Sequence, residues 1–243
     1  MFNDKGEDLG YQDDPQWWYK GPNRFRIANL DADYPEHYFT VAGVPQEVID
    51  RYCLEVVNRY NLITGLELPN PGSFRSIAEF GAGGGWFAKK FEEMGIQGTV
   101  AYEGSIGGCH YMEHHGYDGF VQYDIREVHQ PLVHKYPIAL ASEILEHCEP
   151  FFHGIAVYNL VGHSDLVWFS SEDPEVVHNP GHLHHPGEAP LDYWKALFNW
   201  HDYGCLMLPD SVYEATAGRG RCIFYNRQVH EENIQKYLQV YGE

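Results

Sequence analysis

The stretch Ser76-Ile-Ala-Glu79-Phe-Gly81-Ala-Gly83-Gly84-Gly85-Trp86-Phe-Ala88 decides how the rest of the chain is read. A short apolar run enters a glycine cluster, and a helix-forming segment leaves it. Glycines have no Cβ, so a ligand can approach the backbone of such a loop closely. The helix start beyond it offers unpaired N–H groups and the positive end of a dipole. The phosphate-loop pattern GxxxxGK[ST] is absent, and the dinucleotide pattern GxGxxG fails because Trp86 stands where the third glycine belongs. What fits is acid-x-Gly-x-Gly-x-Gly, with Glu79 as the acid.

Outward from this loop, short apolar runs alternate with helical text. Strands are expected at Ser76–Phe80, Thr99–Glu103, Gly119–Asp124, Ile138–Ser142 and Asp165–Ser170, with a closing pair at Cys205–Leu208 and Cys222–Tyr225. Helices are expected at Trp86–Met94, Pro190–His201 and Glu232–Val240. Alternating strand and helix implies right-handed crossovers and a parallel sheet covered on both faces. The expected fold is α/β: a doubly wound, mostly parallel seven-stranded sheet with helices on both faces and an antiparallel last strand.

Upstream, Val48, Tyr52, Val56 and Tyr60 recur every fourth residue, which predicts an amphipathic helix over Pro45–Tyr60. Pro69-Asn70-Pro71-Gly72 breaks the chain after it. The expected organisation is an N-terminal arm and helix over residues 1–70, then a ligand-binding domain over 71–243. The arm to about Thr40 is aromatic and acidic, with Trp17, Trp18 and Tyr19, and reads as irregular with at most short helical turns. Its aromatics either pack on the main domain or line a substrate mouth.

Composition narrows the function. The 243 residues hold 16 Lys and Arg against 35 Asp and Glu, a net charge of −19. That balance argues against non-specific nucleic-acid binding, which needs basic side chains to displace counterions. No window approaches an apolar membrane span. The acidic start lacks the build of a signal peptide, and five widely spaced cysteines form no CxxC pair. A soluble cytoplasmic protein with free thiols is expected, acting on a small molecule; nothing in the sequence sets an oligomeric state.

The glycine loop with Glu79 resembles motif I of the class I S-adenosylmethionine-dependent methyltransferases. Three further segments resemble that family's motifs in order: Val100-Ala-Tyr-Glu103, Gly119-Phe-Val-Gln-Tyr-Asp124-Ile125, and Tyr136-Pro-Ile-Ala-Leu-Ala-Ser142-Glu143-Ile-Leu-Glu146-His147. The resemblance covers about Arg75 to Tyr225. It implies S-adenosylmethionine as cofactor, with Glu79, Gly81, Gly83, Gly85, Glu103, Asp124, Ile125 and Ser142 as its binding residues. In that assignment Glu103 takes the ribose hydroxyls, Asp124 meets the adenine amino group, and Glu79 helps hold the amino-acid end.

Fifteen histidines are unevenly spread. Glu143, Glu146 and His147 stand at i, i+3 and i+4, so on a helix they would share one face. A later loop, His178-Asn-Pro-Gly181-His182-Leu-His184-His185, is expected at the same carboxyl edge of the sheet. Two chemistries fit, beside simple helix capping and packing. One is a divalent metal, Mg or Mn, on Glu143, Glu146, His147 and His184. This resembles the small-RNA 3′-end methyltransferases, whose reaction is a metal-dependent 2′-O-methylation, although Pro186-Gly187-Glu188-Ala189-Pro190 interrupts their pattern here. The other is metal-free proton removal by His147, Glu143 or His182. Gly181-His182-Leu with Tyr193-Trp194 and Leu197-Phe198 is also similar to methyltransferases that modify sugars and small metabolites. The acceptor expected is therefore a hydroxyl or amine of a small or sugar-type molecule. The alternatives are the RNA-type reaction and a catalytically silent cofactor-binding scaffold.

Overall fold

A computed structural model describes residues 34–41, 43–68, 76–171 and 187–241. Two helices open the described chain, α1 (Glu36–Val41) and α2 (Gln46–Thr64). Then follow β1 (Ile77–Phe80), α3 (Trp86–Glu93), β2 (Val100–Glu103), α4 (Ile106–His114), β3 (Phe120–Gln122) and β4 (Ile138–Ser142). Two 3-10 turns, Leu145–His147 and Pro150–Phe152, lead to α5 (His153–His163) and β5 (Leu166–Ser170). The chain closes with α6 (Leu191–Asn199), β6 (Tyr203–Met207), α7 (Asp210–Ala215), β7 (Cys222–Asn226) and α8 (Arg227–Tyr241).

The seven strands lie in the order β3-β2-β1-β4-β5-β7-β6. β7 runs antiparallel to both β5 and β6, while β1 to β5 pair in parallel. This is the doubly wound sheet with an antiparallel last strand that the alternation implies. The expected strands fall within two residues of the observed ones; at the edge β3 stops at Gln122 and leaves Asp124 in a loop. Central β1, β4 and β5 are almost wholly buried, because helices cover both their faces.

Each face has its own core. On one, α2 contributes Tyr52, Cys53, Val56, Tyr60 and Ile63 against Ile77, Leu140, Trp168 and Ile223 of the strands. On the other, α5 and α6 pack Leu160, Trp194 and Phe198 on Phe169 and Phe224, with the Phe198 and Phe224 rings stacked at 3.8 Å. Thus α2 is part of a sheet layer, and Gly65 in left-handed conformation ends it. The five cysteines are free thiols, and no helix among the described residues is long and apolar enough to cross a membrane.

The chain leaves β1 toward β2 on one side, while β4 lies on the other. That reversal opens a crevice at the carboxyl ends of β1 and β4, where ligands of open α/β sheets bind.

Candidate active site

The crevice is a cavity of about 470 Å³, within the range of small-ligand sites. Its floor is the glycine loop. Gly81 and Gly83 hold φ of +63° and +57°, which turn the chain sharply from β1 into α3. A side chain at either would be strained, and at Gly81 it would also collide with Ile144. Gly85 takes the left-handed N-cap of α3 and abuts Met112 of α4, so it packs away from the cavity.

Glu103 closes the end of β2. One carboxylate oxygen accepts the Gly83 N–H at 2.7 Å, and the other accepts the Ser105 N–H and hydroxyl, both at 2.8 Å. Burial raises its pKa, against those hydrogen bonds. Gly108 lets α4 approach, because a Cβ there would strike the Glu103 side chain. Glu79 is also buried. It accepts the Ala88 N–H of the first turn of α3 at 2.8 Å, and desolvation lifts its pKa to about 8, with Glu103 adding to the rise.

At the β3 edge, Asp124 is gripped by Arg126, whose Nε lies 2.9 Å from Oδ1 and whose Nη2 lies 2.8 Å from Oδ2. Arg126 also faces Glu149 at 3.5 Å. The pair holds the Asp124 carboxyl below its ordinary pKa despite burial. Ile125 lines the wall beside it.

The end of β4 departs from expectation. Glu143 takes φ +56°, and a 3-10 turn over Leu145–His147 follows. The i, i+3, i+4 helical face proposed for Glu143, Glu146 and His147 is therefore not formed, because the left-handed residue and the tighter turn change the angular spacing. All three still border the cavity, with Glu146 fully buried. Among the described residues, no three His, Cys, Asp or Glu side chains are grouped to hold a metal. His178, His182, His184 and His185 lie outside the described residues. The turn is fixed from behind: Nε2 of His153 donates to the Cys148 carbonyl and Nδ1 faces the Tyr193 hydroxyl, both at 3.0 Å, and burial lowers its pKa to about 4.

Several lining residues had no distinguishing signal in the sequence. Tyr34, Tyr38 and Phe39 reach the cavity from the arm. The Tyr34 hydroxyl lies 2.8 Å from Nδ1 of His147. Gly107 of α4 allows this docking, since a Cβ would meet the Tyr34 carbonyl oxygen and the Glu36 amide. Tyr52 bonds Ser142 at 2.8 Å, although its spacing reads only as a core position of α2. Among the described residues, Arg126 and Arg219 are the arginines that line the cavity, together with Glu79, Glu103, Asp124, Glu143 and Glu146.

No protein-family model matches the chain, and no curated protein matches its sequence. Solved structures do. An S-adenosylmethionine-bound amino pentose methyltransferase, CalS10 of Micromonospora echinaspora, is 10% identical with a TM-score of 0.57, covering 79% of this chain and 95% of its own. The sugar N-methyltransferase KedS8 of Streptoalloteichus sp. is 12% identical with a TM-score of 0.56, covering 79% and 92%. DesVI of Streptomyces venezuelae is 15% identical with a TM-score of 0.56, covering 83% and 99%. With the motif order and the sheet topology, these likenesses establish that the chain has the fold of the class I S-adenosylmethionine-dependent methyltransferases.

Proposed function

We propose that the protein is an S-adenosylmethionine-dependent methyltransferase acting on a hydroxyl or amine of a small, sugar-type acceptor. The observation that carries this is the meeting of Gly83 and Glu103 at the floor of the cavity. A buried carboxylate and an open-backbone glycine turn, 2.7 Å apart at the strand reversal, fit a nucleoside with a ribose diol. Glu103 would hold the ribose, Gly81 and Gly83 would let the cofactor lie on the backbone, and Asp124 with Ile125 would flank the adenine. Glu79 would face the amino-acid end. The bound cofactor supplies a methyl group already activated on a sulfonium sulfur.

What remains for the chain is alignment and proton handling. Bringing the acceptor atom to near-attack distance is worth several kcal/mol of barrier, roughly 7–11 at best. Tyr38, Phe39 and Trp86 give the cavity an aromatic wall. His147 is the proton acceptor in this scheme. The scheme requires the tautomer in which Nδ1–H donates to the Tyr34 hydroxyl, which puts the basic lone pair on Nε2. Two fold neighbours, a sugar N-methyltransferase and an amino pentose methyltransferase, support the acceptor class.

Thermal unfolding with S-adenosylhomocysteine or NAD tests the proposal. At a hundredfold excess over Kd the true ligand stabilises by about 2.7 kcal/mol. For a chain this size that raises Tm by roughly 5–10 °C. A shift with NAD alone would reject the methyltransferase. Cofactor binding without turnover on a panel of amino sugars and polyols would favour the silent scaffold.

A further inference from the structure

We infer that Arg219 is a preorganised carboxylate-binding residue at the end of the cavity next to β4. The inference deepens the proposed function by giving this end of the site a ligand chemistry, an amino-acid-type zwitterion.

Arg219 sits in the turn between α7 and β7. The two residues before it, Ala217 and Gly218, have φ of +50° and +87°, an arrangement that alanine adopts only when its surroundings impose it. The surroundings here are specific. The Arg219 carbonyl accepts the indole N–H of Trp168 at 2.7 Å and the Ser142 hydroxyl at 2.9 Å. Ser142 in turn accepts the Tyr52 hydroxyl proton across 2.8 Å. Gly220 lies so close to the Trp168 ring that a Cβ would overlap it. The backbone carrying this arginine is thus tied to β5, β4 and α2 at once.

The side chain itself is little used by the protein. Among the described residues it makes one long hydrogen bond, 3.4 Å from Nη1 to the Ala217 carbonyl, and no ion pair. Arg126, the other arginine of the cavity, is held by Asp124 and Glu149. In a chain of net charge −19, an arginine fixed by its backbone, facing a cavity and paired with no carboxylate stands apart. Guanidinium forks match carboxylates in a bidentate manner. A dianionic phosphate would meet the Glu143 carboxylate, which lines the same space. A zwitterion suits both signs: its carboxylate on Arg219 and its ammonium toward Glu143. Two sources offer that chemistry, the cofactor's amino-acid end and an acceptor bearing a carboxylate.

Acetate is the simplest probe of the carboxylate site, read by NMR saturation transfer on the full chain. Acetate should bind the wild type and Arg219→Lys but not Arg219→Gln. If the cofactor supplies the carboxylate, S-adenosylhomocysteine should displace acetate and 5′-methylthioadenosine, which lacks the amino-acid end, should not. Arg219→Gln should then weaken S-adenosylhomocysteine about tenfold or more while sparing 5′-methylthioadenosine, which also reports that the variant is folded. If the acceptor supplies it, acetate should persist on the S-adenosylhomocysteine-saturated wild type. Equal acetate binding by wild type and Arg219→Gln, with unchanged S-adenosylhomocysteine affinity, overturns the inference. Should Arg219→Gln lose both nucleosides, Arg219→Lys decides: selective weakening of S-adenosylhomocysteine supports the site, and equal loss of both overturns it. Arg219-dependent acetate binding by a wild type that binds neither nucleoside would refute the methyltransferase proposal and leave the carboxylate site standing.

Discussion

Replacing Glu103 by glutamine nearly keeps the side-chain volume, removes the ionisable charge and exchanges one acceptor oxygen for an NH2 donor. In the native protein the two carboxylate oxygens are divided between backbone donors: one accepts the Gly83 N–H at 2.7 Å and the other the Ser105 N–H at 2.8 Å. An amide has one oxygen. Whichever way it is turned, its NH2 group confronts one of those N–H groups, and that donor loses its partner. The Ser105 hydroxyl can rotate to accept from the amide, so only one charged hydrogen bond is lost. Such a bond is worth about 1.5–3 kcal/mol, and the orphaned donor carries a desolvation cost of about 1–3 kcal/mol. These two figures describe the same event, so a net destabilisation near 2 kcal/mol is expected, readable as a lower urea midpoint at unchanged slope. Cofactor affinity should fall further than stability alone implies, because a ribose diol loses an ionised acceptor. By calorimetry S-adenosylhomocysteine should bind about 10- to 150-fold more weakly. A folded Glu103→Gln protein with native affinity would refute the assignment of Glu103 to the ribose, and with it the placement of the nucleoside.

Other outcomes follow from single contacts. Gly83→Val forces a branched side chain into φ +57° beside Phe39 and should abolish S-adenosylhomocysteine binding by calorimetry while circular dichroism stays native-like. Gly107→Ala should push α1 off α4, seen as faster amide hydrogen exchange over residues 36–41, with 5′-methylthioadenosine affinity changed little. Glu79 gives a pH signature. Its folded pKa is about 8 against an ordinary 4.5, so the native state keeps a proton the unfolded chain has released between those values. Stability is then full below about pH 4.5, falls by on the order of 1 kcal/mol per pH unit above it, and is lost through about pH 8. Urea titrations at pH 5 and pH 8 should show this slope in the wild type and a flatter one in Glu79→Gln; equal slopes would remove Glu79 as its cause.

The elements that can be read from the chain alone are those whose neighbours in sequence set their environment. β4 and β5 open as continuous apolar runs because both their faces are covered, and α2 repeats every fourth residue because one side meets the sheet. The glycine loop is legible for the same local reason, since backbone at φ near +60° selects glycine. The helix α4 carries no such pattern. Its Gly107-Gly108-Cys109 start serves close approach to the arm and to Glu103, a demand that arises only once distant segments meet.

The site divides along the same line. Glu79, Gly81, Gly83, Glu103, Asp124, Ile125 and Ser142 stand at strand ends, and strand ends of a doubly wound sheet converge on one edge by topology, so order and spacing suffice to bring them to one cavity. Tyr34 against His147, Tyr52 against Ser142, and the Arg219 turn under Trp168 join residues 113, 90 and 51 positions apart in the chain. No local period encodes such pairs. The Glu143–His147 segment shows the limit most sharply: its spacing describes a helical face, but the hydrogen bond from the Glu143 N–H to the Ser170 carbonyl on β5 accompanies a left-handed turn instead. The sequence determined which residues arrive at the sheet's edge. Only tertiary contact, by imposing backbone angles that local preference disfavours, decided where their side chains point.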